Sequence, residues 1–310
     1  MNNNIQEYSG AEENLVFVEE FEAILKDKFP FMSGVVEKGR LNFGKLWETE
    51  FAEALARMFS TNKNLSDAVR GYVDFSIDAM RLQKAFEKEL EYRSKSYEEA
   101  SADVYHNDEY MNNLYLPGIF LSHFLWPHHY RQYLFCRSTF LNDMRLANSD
   151  VFYDVGVGTG FFSRLALQVV PEVRGRGFDI SVASKQYAER QAESFGVSSR
   201  YSVELRDVVK EPPDEKVMFL MSVEILEHLE DPLAFLKALR QMLAPGGKAF
   251  ITAALNAANA DHIFLYRTPS EVKKQLNEAG FTIEQYHSSM AYAPPAEGIP
   301  VPEIVAFVVT

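Results

Sequence analysis

Up to residue 145 the apolar positions recur at helical spacing. Around VFVEEFEAILKDKF they are Leu15, Val16, Val18, Phe21, Ile24 and Leu25, one stripe of a helix. FGKLWETEFAEALARMF repeats the stripe, and LSDAVRGYVDFSIDAMRLQKAFEKELEYRS predicts a longer helix with alternating charges toward its end. SKSYEEASADVYHNDEY is polar and reads as a linker. Residues 116–144 are dense in aromatics and carry His123, His128 and His129, read as packing residues or as a helical cover over a site.

After Asn148 the period changes. VFYDVG, VRGRGFDI, YSVELRD, VMFLMSV and GGKAFITAAL read as strands, separated by helical segments such as FFSRLALQVV and ASKQYAERQAESFG. Gly196 is placed to close a helix, Asp231 and Pro232 to open one, and Thr268 with Glu271 to form a capping box behind Pro269. FTIEQYHSS and EIVAFVVT follow with only a Pro-rich loop between them, so they are expected to pair antiparallel at the sheet edge. The expected fold is α/β: a Rossmann-like, doubly wound, mostly parallel seven-stranded sheet with an antiparallel terminal hairpin, preceded by an N-terminal helical region. The division falls between residues 1–145 and 146–310.

Composition narrows the function classes. The chain has 310 residues and a formal net charge of −13, with 13 Lys and Arg against 22 Asp and Glu in residues 1–115. Nucleic-acid binding relies on phosphate neutralisation, so an acidic chain without a basic stripe disfavours it. The apolar run LYLPGIFLSHFLWP is short and broken by Pro117, Ser122 and His123, so no membrane span is expected. The polar, acidic N-terminus MNNNIQEYSGAEEN reads as neither a signal nor a transit peptide. With Cys136 as the single cysteine, a disulfide within the chain and a multi-cysteine metal site are excluded, and a cytoplasmic location is expected.

The first strand ends in DVGVGTG, with Asp154, Gly156, Gly158 and Gly160. Glycines there let the chain turn sharply onto a helix N-terminus and let a ligand approach the backbone. Asp179 follows 19 residues after Gly160 at the end of the next strand, where a carboxylate can accept from ribose hydroxyls. Asp207 follows the third strand. Together with EILEHLEDP, LAPGGKAFIT and LNEAGF, this series resembles the class I S-adenosylmethionine-dependent methyltransferases over about residues 146–310. The resemblance implies that Gly156, Gly158 and Gly160, with Asp154, line the methionine part of the cofactor. It implies that Asp179 and Ile180 hold the ribose, Asp207 and Val208 the adenine, and that Ser222 lines the floor. The N-terminal helices would then serve as a substrate cover or as contacts of a homodimer.

SVEILEHLEDP sets Glu224, Glu227 and His228 at the end of an apolar strand. If that turn is helical, the three share one face. Carboxylates packed together resist ionisation unless a cation joins them, and a mixed oxygen and nitrogen set suits Mg²⁺, Mn²⁺ or Fe²⁺. His262, after the following strand, is available as a fourth ligand. This set resembles the metal site of the small-RNA 2′-O-methyltransferases, and its first part that of the quinone-biosynthesis O-methyltransferases. His262, His228 and Glu224 are the catalytic candidates, with a general-base role for either histidine as the metal-free alternative. The expectation is methyl transfer to a small-molecule acceptor, at oxygen. Its rivals are methylation of RNA, attack on the aminocarboxypropyl carbon of the cofactor with release of methylthioadenosine, and a subunit that binds cofactor without chemistry.

Overall fold

The computed structural model describes residues 4–93, 96–105 and 107–310. Ser94 and Lys95 of the expected linker, His106, and the first three residues of the polar N-terminus lie outside the described residues. The chain opens with three long helices, α1 (Asn4–Lys28), α2 (Val35–Met58) and α3 (Asn62–Glu89). The segment read as a linker contributes two short helices, α4 (Tyr97–Asp103) and α5 (Asp108–Tyr110). Ser96 and Asn107 start them by accepting from Glu99 N and Tyr110 N. A π turn, Met111–Tyr115, leads into α6 (Leu116–Leu125), α7 (Pro127–Ser138) and α8 (Phe140–Leu146).

Strand–helix alternation follows: β1 (Val151–Val155), α9 (Phe161–Val169), β2 (Arg174–Asp179), α10 (Val182–Ser194), β3 (Tyr201–Leu205), β4 (Val217–Ser222), α11 (Pro232–Met242), β5 (Leu243–Leu255), α12 (Pro269–Glu278), β6 (Ile283–Met290) and β7 (Glu303–Val309). The order across the sheet is β3-β2-β1-β4-β5-β7-β6. Strands β1 to β5 are parallel, while β7 runs antiparallel to both β5 and β6. A parallel return needs a crossover, and the Pro-rich loop between β6 and β7 carries no helix to make one. The expected caps form: Asp231 accepts from Ala234 N, the Thr268–Glu271 box closes, and Gly196 takes a left-handed conformation after α10.

Period-two alternation sorts the sheet's side chains between two cores. Phe219, Met221, Phe250, Ala306 and Val308 face the N-terminal helices and α8, in a cluster that continues to Val18 and Trp47. Leu220, Ile251, Val305 and Phe307 face α11 and α12. Phe140 on α8 packs edge-on against Phe219, with ring centres 5.6 Å apart, and also meets Phe250. The helical region therefore covers one sheet face directly. Among the described residues no helix is long and apolar enough to cross a membrane.

Candidate active site

A cavity of about 1380 Å³ lies between the helical region and the carboxyl ends of β1, β2, β4 and β5. This is where open α/β sheets hold their ligands, and it exceeds the roughly 300–1,000 Å³ of an ordinary small-ligand cleft. Gly156, Gly158, Asp179, Ile180, Asp207 and Val208 line one part. The glycine-bearing loop is held from below. Asp154 is buried and accepts from Ser163 Oγ of α9 at 2.6 Å, and burial pushes its carboxyl up to about 7. Asp179 accepts from Gly158 N at 3.1 Å and from Ser181 N at 2.8 Å, which binds the end of β2 to the loop. Gly158 has φ +51, and a Cβ there would meet nothing within 4 Å. Gly160 has φ +76, and a Cβ there would stand 2.7 Å from Ala188 Cβ and 2.9 Å from its Cα. The first position therefore faces ligand space, and the second permits α9 and α10 to pack.

Ser222 does not line this cavity. It is buried at the end of β4, and Val223 and Glu224 take the place expected for it. Strand alternation sends successive side chains to opposite faces, so the floor falls to neighbouring residues.

The Glu-x-x-Glu-His turn is not one continuous helix. Only Leu226–His228 is helical, and Glu224 sits before it with φ +54. Helical spacing cannot then align Glu224 with the other two. Its amide donates to Thr252 Oγ1 at 2.8 Å, the Thr252 hydroxyl donates back to Glu224 Oε1 at 2.6 Å, and Gln132 Nε2 donates to the same oxygen at 3.2 Å. Glu227, His228 and His262 do converge, each offering an atom within 4.8 Å of the others. The four-ligand set expected from sequence is thus a cluster of three, with Glu224 beside it.

The cluster is assembled across the chain. Ile263 N and Phe264 N both donate to Glu227 O at 2.9 Å, which pins the 256–264 loop to the turn. Gln83 on α3 donates to Asn256 O and accepts from Ala258 N, holding that loop from the helical side. His262 Nδ1 is 2.6 Å from Ala257 O and must donate to it, which leaves the Nε2 lone pair free. His228 Nδ1 lies 3.2 Å from Asp261 Oδ2 and 3.1 Å from Asp261 O, so Nδ1 donates to Asp261 and the ring's second proton sits on Nε2, which becomes a ligand only when a cation displaces that proton. Both carboxylate oxygens of Glu227 are buried without a partner.

Charge follows the packing. Burial and the neighbouring Glu224 push Glu227 up to about 8. Burial would lower His228, but the Asp261 carboxylate outweighs it and holds the imidazole up to about 9. Burial and the charge on His228 bring His262 down to about 4. Asp261 is fully buried yet held below the usual carboxylate range by His228. Tyr105 donates to Asp261 Oδ2 at 2.9 Å, and Tyr115 donates to the same oxygen. Both tyrosines belong to the segment between α4 and α6. Sequence reasoning missed Asp261, Tyr105, Tyr115 and Gln132. Asp261 alone had a local signal, an acid directly before the candidate ligand His262.

Residues 128–286 match the family model described as a methyltransferase domain, just over half the chain. The chain belongs to this methyltransferase family. The match begins inside α7, so the family unit includes part of the aromatic helical stretch. The enzyme is accordingly a class I S-adenosylmethionine-dependent methyltransferase. It is 28% identical over 171 residues to a ubiquinone biosynthesis O-methyltransferase of Xanthomonas euvesicatoria, an alignment covering 49% of this chain and 70% of that one. It is 31% identical over 103 residues to its namesake in Cereibacter sphaeroides, covering 33% of this chain and 40% of the relative. The chain thus spans well under half the length of the second relative. Among solved structures, the mitomycin 7-O-methyltransferase MmcR is similar with a TM-score of 0.54 at 12% identity, covering 84% of this chain and 74% of that one. At that identity the likeness concerns the fold.

Proposed function

We propose that this methyltransferase transfers the methyl group of S-adenosylmethionine to an oxygen atom of a small molecule, with a divalent cation held by Glu227, His228 and His262. The observation that carries the reading is the convergence of these three side chains on one spot in the cavity. The donor set fits a cation. Two orphaned carboxylate oxygens are costly inside a protein, and both imidazoles have their second nitrogen engaged, as metal-binding histidines do. Mg²⁺, Mn²⁺ and Fe²⁺ suit mixed oxygen and nitrogen ligands. A bound cation would supply Lewis acidity, easing ionisation of an acceptor hydroxyl.

The chain's own residues supply the rest. Gly156 and Gly158 give the cofactor's methionine end close access to backbone, while Gly160, expected there too, does not line the cavity and packs against Ala188 instead. Asp179 and Ile180 meet the ribose, and Asp207 and Val208 the adenine. Asp261 orients His228, and Thr252 with Gln132 fixes Glu224 at the wall. The cavity has room for an acceptor beside the cofactor, and alignment of the two is the main catalytic contribution. The similarity to ubiquinone biosynthesis O-methyltransferases supports an oxygen acceptor. A second reading rests on His262. Its imidazole is neutral with a free Nε2, and without a cation it accepts the acceptor's proton directly.

The test is product analysis after incubation with cofactor and a panel of small phenols, with and without a chelator. S-adenosylhomocysteine formed only with an acceptor, lost on chelation and restored by Mn²⁺, is the expected result. Methylthioadenosine formed from cofactor alone would overturn methyl transfer. Turnover indifferent to chelator but abolished in His262→Ala would favour the metal-free reading.

A further inference from the structure

His123, His128 and His129 stand on α6 and α7, line the same cavity, and have no part in the chemistry above. They form one group: the His123 and His129 rings are 5.6 Å apart and those of His128 and His129 4.5 Å. The hydrogen-bond network assigns their protons. The Ser122 hydroxyl donates to Ile119 O at 2.8 Å, so its oxygen accepts from His129 Nδ1, 3.1 Å away. That leaves a lone pair on His129 Nε2. In His123 and His128, Nδ1 is sealed from water with no partner. A buried N–H without a partner is the costlier orphan, so the proton of each ring belongs on Nε2. The group therefore offers two N–H donors and one acceptor.

The group carries no charge. Burial brings His123 and His128 down to about 3 and His129 well below its ordinary value. The other basic groups lining the cavity are occupied, neutral or outside: Lys38 and Lys84 are exposed, Arg206 pairs with Glu204, Lys210 with Asp207 and His228 with Asp261, and His262 is uncharged. The nearby walls, Ile119, Leu125 and Trp126, are apolar. The charges of Arg164 and Arg131 reach His123 and His128, but neither guanidinium lines the cavity, so an anionic group here would be desolvated without a cation in contact, whereas a ketone, phenol or amide oxygen would be paired.

We propose that His123, His128 and His129 form the acceptor-recognition subsite, which binds an uncharged oxygen function of the methylated molecule and turns away carboxylates and phosphates. This deepens the acceptor reading above and rests on it. The test is equilibrium binding of three probes to the full chain saturated with S-adenosylhomocysteine: 3,4-dihydroxyacetophenone, 3,4-dihydroxybenzoate and 4-ethylcatechol. The ketone is expected to bind at least about fivefold more tightly than either of the others, the worth of one or two neutral hydrogen bonds. His128→Phe should erase the advantage over 4-ethylcatechol while leaving 4-ethylcatechol and S-adenosylhomocysteine affinities in place. His128→Gln, which keeps a donor, should retain part of it. Tightest binding of the benzoate, equal weakening of all three probes in a folded His128→Phe, or no binding by any probe overturns the proposal. Product analysis on the same samples separates the two readings. Ketone-selective binding without S-adenosylhomocysteine production from fresh cofactor would leave the subsite standing and remove methyl transfer.

Discussion

Two glycines two residues apart in DVGVGTG answer to different forces. Gly158 is left-handed and open to ligand space, so Gly158→Ala should cost about 1–2 kcal/mol of backbone strain and weaken S-adenosylhomocysteine binding. Gly160 is left-handed and packed against Ala188 backbone, so Gly160→Ala should cost about 1–3 kcal/mol more through overpacking. Urea unfolding paired with nucleoside titration checks both. Asp261 is a different case. Removing its charge leaves His228 without a counter-charge and breaks a fully buried network, so Asp261→Asn should destabilise by about 3–5 kcal/mol. Denaturant titration of the variant reads this directly.

At the scale of elements, α6 and α7 carry three imidazoles that are neutral when folded. Unfolded, they titrate near 6.5, while His123 and His128 titrate near 3 in place. Between these values the unfolded chain binds more protons, so their contribution is complete above pH 6.5 and is lost as pH falls toward 3. The thermal midpoint should drop across that window, with a shallower slope in His128→Phe. Helix α11 offers a simpler check: Asp231→Ala removes the side-chain acceptor of Ala234 N and should cost about 1 kcal/mol. Legibility varied with element for a physical reason. The caps of α11 and α12 were readable because capping is decided by residues three apart. The linker reading of residues 94–110 missed α4 and α5, because short helices held by tertiary contacts leave no long apolar stripe.

At the scale of the molecule, one hydrophobic cluster joins α1 to α3, α6 to α8 and one face of the sheet. Phe140→Ala at that seam should cost about 3–5 kcal/mol. Unfolding followed by tryptophan fluorescence, which reports on Trp47 and Trp126 in the helical region, should coincide with far-ultraviolet circular dichroism of the whole chain. The acidic balance also acts at this scale. With a net charge of −13, RNA retention at about 0.15 M salt should be absent in a filter-binding assay.

Taken alone, the sequence determined the alternation of strands and helices, the antiparallel end of the sheet, the glycine-bearing loop and the acids that follow it. These depend on periodicity, turn chemistry and caps, all local in the chain. Only the tertiary structure decided that Glu224 leaves the cluster, that Ser222 is not floor, and that Tyr105 and Tyr115 close on Asp261. The first turns on a single left-handed residue, the second on which strand face meets the cavity. The third brings together groups 156 and 146 residues apart, a distance across which no local pattern carries information.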